Sequence, residues 1–403
     1  MTKKNLTFVF LTIPAFGHIN PMLIVIEELV RLGHKVIVYN QPEFKKIIEK
    51  TGAKFKPPPV KFITPDFLEF RDSFRIAEMS LEITQKIIFP LTKSVKGDRP
   101  DCIIHDSLGL WGKLVAKSLN VPSVALIPSM VINIPVLLKS KIKKDIFFET
   151  VMKLLRFIKI TREYSSIYKT LSIKPPVVFD IFSNKEDLNI VFTSKYLQIN
   201  GNKFSSDYKF VGPSIYDRNQ SPLSINLFEN KKKIIYISLG SIYNDKLDFY
   251  KTCIKAFKNS NFQVFISIGK HIQRSSLGYV PKNIYIDNYL PQLQILAKAD
   301  LFITHGGMNS INESSYYEVP MLLFPQMLEQ KANAFRIEEL EAGLYSKKDN
   351  VSSKKLMLLV REVINNQRYK KGVMKIRESL LNTGGYAEAV KTIINFTNCN
   401  HNS

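Results

Sequence analysis

Two glycines between a histidine and a run of small polar residues mark Thr304-His305-Gly306-Gly307-Met308-Asn309-Ser310-Ile311-Asn312-Glu313 as the segment richest in potential chemistry. It follows a short apolar run at Leu301–Thr304 and opens a helical pattern near Asn309. Glycines let a backbone approach a ligand closely. The amide N–H groups and positive dipole end of a helix start favour an anion. His305, Asn309 and Ser310 add side-chain donors suited to phosphate oxygens beside Gly307. Glu313, one turn further on, is spaced to accept from ribose hydroxyls. The competing reading is a glycine turn ahead of a capped helix that binds nothing. Downstream, Glu329 and Gln330 follow Phe324-Pro325-Gln326. A carboxylate beside an amide can hold two or more sugar hydroxyls, or simply form an exposed polar helix start.

A second constellation lies in the first half of the chain. His18 sits in Pro14-Ala15-Phe16-Gly17-His18-Ile19-Asn20-Pro21, between an apolar run and a helical pattern. That is the carboxyl edge of a sheet, where open α/β folds place ligands. Asp106 ends another apolar run, 102–105, at the same edge. A carboxylate bonded to one ring nitrogen leaves the other as proton acceptor and stabilises the charged imidazole. His105 competes for the same role but points to the other side of its strand.

The elements that must position these residues alternate in type. Residues 6–13 read as a short, fully apolar strand of a parallel sheet. Asn20 then caps a helix with Pro21 at its first position, Met22, Ile26, Leu29 and Val30 recur at helical spacing, and Gly33 ends it. Lys35–Tyr39 closes a βαβ unit. Residues 102–105 and 121–127 are further strands around a helix at 109–119. A polar, aperiodic stretch at 216–230 reads as a linker. A second α/β run follows, with strands at 234–238, 262–268, 283–286, 301–304 and 321–324; Leu239-Gly240-Ser241 follows the first of these. The fold class is therefore α/β, with two domains and a ligand expected in the cleft between them.

Composition narrows the partners. The 403 residues include 57 Lys plus Arg against 35 Asp plus Glu, a formal net charge of +22. Such an excess suggests an anionic partner, whether nucleotide, nucleic acid or membrane surface, or a lysine-rich surface kept for solubility. Cys102, Cys253 and Cys399 have neither metal-ligand spacing nor a disulfide framework, which points to a reducing cytoplasm. Lys3 and Lys4 precede an apolar run, but no small-residue cleavage pattern follows and no stretch is long enough to span a bilayer. Residues 147–162 read as a basic amphipathic helix, with Phe147, Val151, Leu154, Leu155 and Ile158 on one side and Lys153, Arg156, Lys159 and Arg162 on the other. It packs on its own core or contacts an anionic membrane surface or a greasy substrate.

The motifs at Phe16–Pro21 and Thr304–Ser310, with Pro291-Gln292 and Glu329-Gln330, resemble the UDP-dependent glycosyltransferases, specifically their bacterial macrolide-glycosyltransferase branch. The similarity runs from Phe8 to about Ala389. The resemblance implies a GT-B architecture of two facing Rossmann-like domains: 1–215 for the acceptor, 216–230 as linker, 231–385 for the nucleotide sugar, and 386–403 as a helix crossing back onto the first domain. It makes His18 the catalytic base and Asp106 its supporting acid. His305, Asn309 and Ser310 become phosphate ligands beside Gly307, Ser241 meets the diphosphate, Glu313 the ribose and Gln330 the hexose. Gln292 and the backbone of Leu290 grip the base. Phe16 and Ser129 fall on the acceptor side. Tyr289 stands where many relatives carry a base-stacking Trp, and Glu329 replaces an Asp, which leaves base and hexose open. No counterpart of the animal relatives' membrane anchor is expected.

The implied reaction inverts the anomeric centre of a hexose, with UDP-glucose as expected donor and a hydroxyl of a small lipophilic or aromatic acceptor as nucleophile. It needs no metal and no cofactor. The protein would be cytoplasmic. Three rivals differ in kind. A nicotinamide oxidoreductase would show G-x-G-x-x-G in its first turn, which is missing. A nucleotide-sugar epimerase would convert donor without acceptor. A noncatalytic basic or nucleic-acid-binding protein is favoured by charge alone, with no recognised nucleic-acid motif.

Overall fold

The computed structural model describes residues 5–60, 73–131, 154–174, 184–215, 228, 232–240, 244–347 and 351–401. The chain divides into two compact units, Met1–Ser214 together with Thr383–Ser403, and Ile215–Asn382.

The first unit is built on seven parallel strands: β1 (Thr7–Leu11), β2 (Lys35–Tyr39), β3 (Lys54–Lys56), β4 (Cys102–Asp106), β5 (Ser123–Ile127), β6 (Leu188–Val191) and β7 (Tyr208–Phe210), in the order β3-β2-β1-β4-β5-β6-β7. Every residue of β4 and four of the five in β1 are buried. Strands covered on both faces need apolar side chains at consecutive positions, which is why they read as unbroken runs. From β1 the chain goes one way to β2, and β4 pairs on the other side of β1. The topological switch point, where strand order reverses and a crevice opens beyond the carboxyl ends, therefore lies between β1 and β4.

The first helix departs from its local signals. α1 runs Phe16–Arg31, with Ala15 at its N-cap and Pro21 inside it, so Asn20 is not the cap and Pro21 is not the first helical residue. The N–H groups of His18 and Ile19 both donate to the Ala15 carbonyl at 2.9 Å, closing a turn ahead of the proline. Pro21 removes the one bond to the Gly17 carbonyl. Burial of Ile19, Met22, Leu23, Val25, Ile26 and Leu29 outweighs that loss. As a result His18 stands in the first helical turn rather than in a preceding loop.

Short α2 (Lys45–Glu49), long α3 (Ser73–Asp98), α4 (Leu110–Leu119) and α5 (Leu154–Thr170) complete the main body of this unit. The basic amphipathic pattern is displaced in the structure. Phe147, Val151 and Lys153 lie outside the described residues, Ile158 is exposed, and the buried face is Ile160, Tyr164, Ile167 and Tyr168. α5 packs against α3. Arg156 is committed to Glu78 of α3 by two hydrogen bonds of 2.9 and 2.7 Å. Among the described residues no helix is long and apolar enough to cross a membrane.

The second unit carries six parallel strands: β8 (Lys233–Ser238), β9 (Phe262–Ser267), β10 (Ile284–Asp287), β11 (Leu301–Thr304), β12 (Met321–Leu323) and β13 (Gly343–Tyr345), in the order β10-β9-β8-β11-β12-β13. Its helices are α6 (Leu247–Phe257), α7 (Gln292–Leu296), α8 (Met308–Tyr316), α9 (Leu328–Glu339), α10 (Ser353–Asn365) and α11 (Gln367–Leu381). Ile235, Ile237, Val264, Ile266, Tyr250 and Phe257 belong to one core on one side of the sheet. Tyr236 stacks on Phe302 at 4.9 Å. The switch point here lies between β8 and β11. Of the polar stretch 216–230, only Phe228 is among the described residues; its ring lies 5.2 Å from that of Phe265. After α11 the chain returns to the first unit as α12 (Gly385–His401), which packs on α1 and buries Ala389, Val390 and Ile393.

Candidate active site

The first cluster occupies the β1–β4 switch point. His18 projects from the first turn of α1, and Asp106 is the last residue of β4. His18 Nδ1 lies 2.8 Å from Asp106 Oδ2; the imidazole keeps 19% of its side-chain surface accessible, the carboxylate none. Asp106 is pinned beyond this bond. Its Oδ1 accepts the Leu108 N–H at 2.8 Å, and its main-chain carbonyl accepts the Gly109 N–H at 3.0 Å. A carboxylate only accepts, so Nδ1 carries the hydrogen and Nε2 is the basic nitrogen of the ring. His105 is fully buried, with its two ring nitrogens on the Asp106 carbonyl and on Glu186, which removes it as a rival base. Phe16 is exposed and its ring rests 4.9 Å from that of Phe44. Ser129 is half-buried, its hydroxyl donating to the Met130 carbonyl at 3.3 Å.

The second cluster lies at the β8–β11 switch point. His305 directly follows β11. A Cβ at Gly240 would lie 2.6 Å from its Cε1, and one at Gly307 2.6 Å from its Nε2. Gly240 also has φ +84°, a conformation side chains disfavour. The two glycines thus let the backbone close on both sides of the imidazole. Burial pulls the His305 pKa down to about 4, against a smaller opposing effect of the Ser238 main chain, so the ring is neutral near pH 7. Gly307 is the N-cap of α8, and a helix start leaves its first N–H groups without intrahelical partners. Asn309 is half-buried and Ser310 buried in that first turn. Ser241 lies outside the described residues.

Two helices of this unit meet at Glu313. It is buried in α8 and accepts a 2.5 Å hydrogen bond from Gln292 Nε2, the first residue of α7. Just upstream, Tyr289 is 61% exposed while Leu290 is buried. Gln330 is buried in α9, and its Oε1 accepts from the N–H groups of Gln326 at 2.9 Å and Met327 at 3.3 Å. Its carbonyl oxygen therefore builds the turn that starts the helix, which leaves its amide nitrogen as the donor for a ligand. Glu329 is half-buried in the same first turn.

Two further positions, both in segments the sequence marks out, shape these turns without having been assigned a role there. Asn333, one turn beyond Gln330, is buried and donates from Nδ2 to the Gly306 carbonyl at 2.9 Å, fixing the glycine turn from below. Gly240 matters through its closeness to His305. The i, i+3 spacing of Gln330 and Asn333 puts them on one helix face, which is the only local hint. Among the described residues no group of three His, Cys, Asp or Glu side chains is placed to hold a metal ion.

Comparison with known proteins adds the following. The family described as UDP-glucoronosyl and UDP-glucosyl transferase matches residues 67–381. The NDP-glycosyltransferase YjiC of Bacillus subtilis (strain 168) is 34% identical over 403 residues, covering 98% of this chain and 97% of that protein. The oleandomycin glycosyltransferase of Streptomyces antibioticus is 26% identical over 399 residues, covering 95% and 89%. The crystal structure of the glycotransferase of kitacinnamycin superposes with a TM-score of 0.85 at 25% identity, covering 98% of this chain and 100% of that one. The two parallel-sheet units follow the GT-B plan.

Proposed function

Because the chain belongs to the UDP-glucoronosyl and UDP-glucosyl transferase family and is a glycosyltransferase, we propose that it moves a hexose from UDP-glucose to a hydroxyl of a small lipophilic or aromatic acceptor, with inversion at the anomeric carbon. The observation that carries this reading is the His18–Asp106 pair, 2.8 Å apart at a switch point. His18 Nε2 takes the acceptor's hydroxyl proton as the oxygen attacks the sugar carbon. The Asp106 carboxylate stabilises the imidazolium that forms. The nucleoside diphosphate departs from the opposite face of the sugar.

Charge on the leaving diphosphate is met by the first turn of α8, by Asn309 and Ser310, and by His305. As a neutral ring His305 contributes a hydrogen bond rather than a charge. Glu313, already oriented by Gln292, accepts from the ribose, and Tyr289 offers an exposed face for stacking on the base. The Gln330 amide nitrogen and Glu329 hold hexose hydroxyls. These donors are fixed before the reaction begins, so leaving-group stabilisation needs no metal. Phe16, exposed and backed by the buried ring of Phe44, presents aromatic surface in the unit that carries His18, which supports a lipophilic or aromatic acceptor; relatives named for oleandomycin and kitacinnamycin support a natural product as acceptor. Cys102 and Cys253 are buried free thiols and Cys399 an exposed one, in keeping with a reducing cytoplasm.

His18→Ala should lower transfer by about 10²–10⁴-fold, the usual contribution of a positioned base, while UDP-glucose still raises the melting temperature. A chelator should leave the wild-type rate unchanged. Unchanged turnover in the His18 variant removes the base from this reading, and chelator-sensitive turnover removes the metal-free step.

A further inference from the structure

Behind the His18–Asp106 pair lies a buried histidine that the reaction above does not use. His105 Nδ1 is 3.1 Å from the Asp106 main-chain oxygen, and Nε2 is 2.9 Å from Glu186 Oε1. The ring is inaccessible and the Glu186 side chain only 9% exposed. A carbonyl oxygen can only accept, and so can an ionised carboxylate. A neutral imidazole has one N–H and cannot satisfy both. The site is satisfied only with a proton on each ring nitrogen, or with Glu186 in its acid form; in either case the pair holds one proton more than a neutral ring beside a carboxylate.

The surroundings fix this pair firmly. The Glu186 N–H donates to Asn189 Oδ1 at 2.9 Å, and Asn189 Nδ2 donates back to the Glu186 carbonyl at 2.6 Å. α4 crosses so close that a Cβ at Gly112 would lie 2.2 Å from the His105 Cβ. Other titratable groups around the ring are Cys102 on its own strand, Lys113 on α4, whose Nζ donates to the Lys185 carbonyl, and Lys185 itself, paired with Asp207.

We propose that His105, held by Glu186, is a positioning residue for transfer: its Nδ1–H fixes the Asp106 carbonyl, and through that residue the carboxylate that orients His18. The proposal rests on His18 and Asp106 being the catalytic pair. Asp106 ends its strand and turns immediately into Leu108 and Gly109. Its carboxylate direction therefore depends on how its main chain is held, and the two bonds on its carbonyl come from Gly109 and His105.

The test compares His18→Ala, His105→Phe, His105→Asn and Glu186→Gln in the full chain, reading kcat, donor KM and melting temperature. His105→Phe keeps a ring but no donor; its kcat should fall about tenfold or more with donor KM within about twofold. His105→Asn places an amide N–H where Nδ1–H donates and should recover most of that loss. In Glu186→Gln the amide N–H donates to Nε2, so a neutral ring is satisfied without the extra proton. Its Nδ1–H still holds the Asp106 carbonyl, so kcat and donor KM should stay within about twofold of the wild type. An inactive His18→Ala beside a fully active His105→Phe overturns the positioning role and leaves the catalytic pair standing. An active His18→Ala overturns the catalytic pair itself. If His105→Phe does not fold, His105→Asn and Glu186→Gln decide: both keep a donor to the Asp106 carbonyl, and a kcat loss of about tenfold or more in either at unchanged donor KM rejects the proposal.

Discussion

His34 and His305 are both held below the ordinary imidazole pKa by burial, with different consequences. His34 Nδ1 accepts the Leu6 N–H at 3.2 Å, and its ring meets Phe8 edge-on at 5.3 Å. Protonation would turn that acceptor into a donor facing a donor. With the folded pKa below the unfolded value of about 6.5, the unfolded chain binds more protons in the window between them. The stability held by neutral His34 is complete above about pH 6.5 and declines as pH falls through the folded value. His34→Asn, whose Oδ1 can accept the same bond without titrating, should flatten the acid side of a plot of melting temperature against pH. An acid limb identical to wild type assigns that limb to other groups. This behaviour was not legible beforehand, because a histidine immediately before a strand gives no sign of which nitrogen faces a main-chain N–H. His18 and Asp106 were legible because each follows or ends an apolar run, and the doubly wound rule puts both at one sheet edge.

At the level of elements, what could be read depended on how local the signal was. Buried parallel strands announce themselves as apolar runs, and 301–304 in the sequence is β11 residue for residue. The start of α1 could not be read, since Asn20-Pro21 is a good local cap that tertiary burial overrides. The role of Gln330 was hidden for a related reason. It is the third residue of α9 and reaches back to the N-cap main chain as in a capping box, but the N-cap is Met327, not a Ser or Thr. The turns after β8 and β11 form the most demanding pair, because Gly240 must pass a histidine that belongs to the other turn. Gly240→Ala combines a φ of +84° with a Cβ 2.6 Å from the His305 ring. Strain of this kind costs about 1–3 kcal/mol. The variant should melt lower and also show a raised donor KM, since the displaced ring is the proposed phosphate ligand. A lower melting temperature with donor KM unchanged would separate His305 from the diphosphate.

Across the whole molecule, the unexplained quantity is the net charge of +22. Some cations have local work: Arg156 holds α5 to α3 through Glu78, whose carboxyl the Arg156 hydrogen bonds keep below its ordinary pKa, and Arg377 and Lys370 close the end of α8 on Glu318 and the Tyr316 carbonyl. Pairs like these are balanced by acids and do not create an excess. The remaining cations set a positive field around the protein, and a nucleotide sugar carries its charge on a diphosphate. A field of that sign raises the local concentration and encounter rate of such a donor, and salt screens it over about 8–10 Å near physiological ionic strength. Raising salt from about 0.05 M to about 0.5 M should therefore lower kcat/KM for the donor several-fold, leave kcat at saturating donor unchanged, and leave KM for an uncharged acceptor unchanged. The asymmetry between the two substrates is the diagnostic part, because general loss of stability or aggregation would affect both. A donor kcat/KM that stays flat over that range would mean that the lysine-rich surface serves solubility and takes no part in gathering substrate.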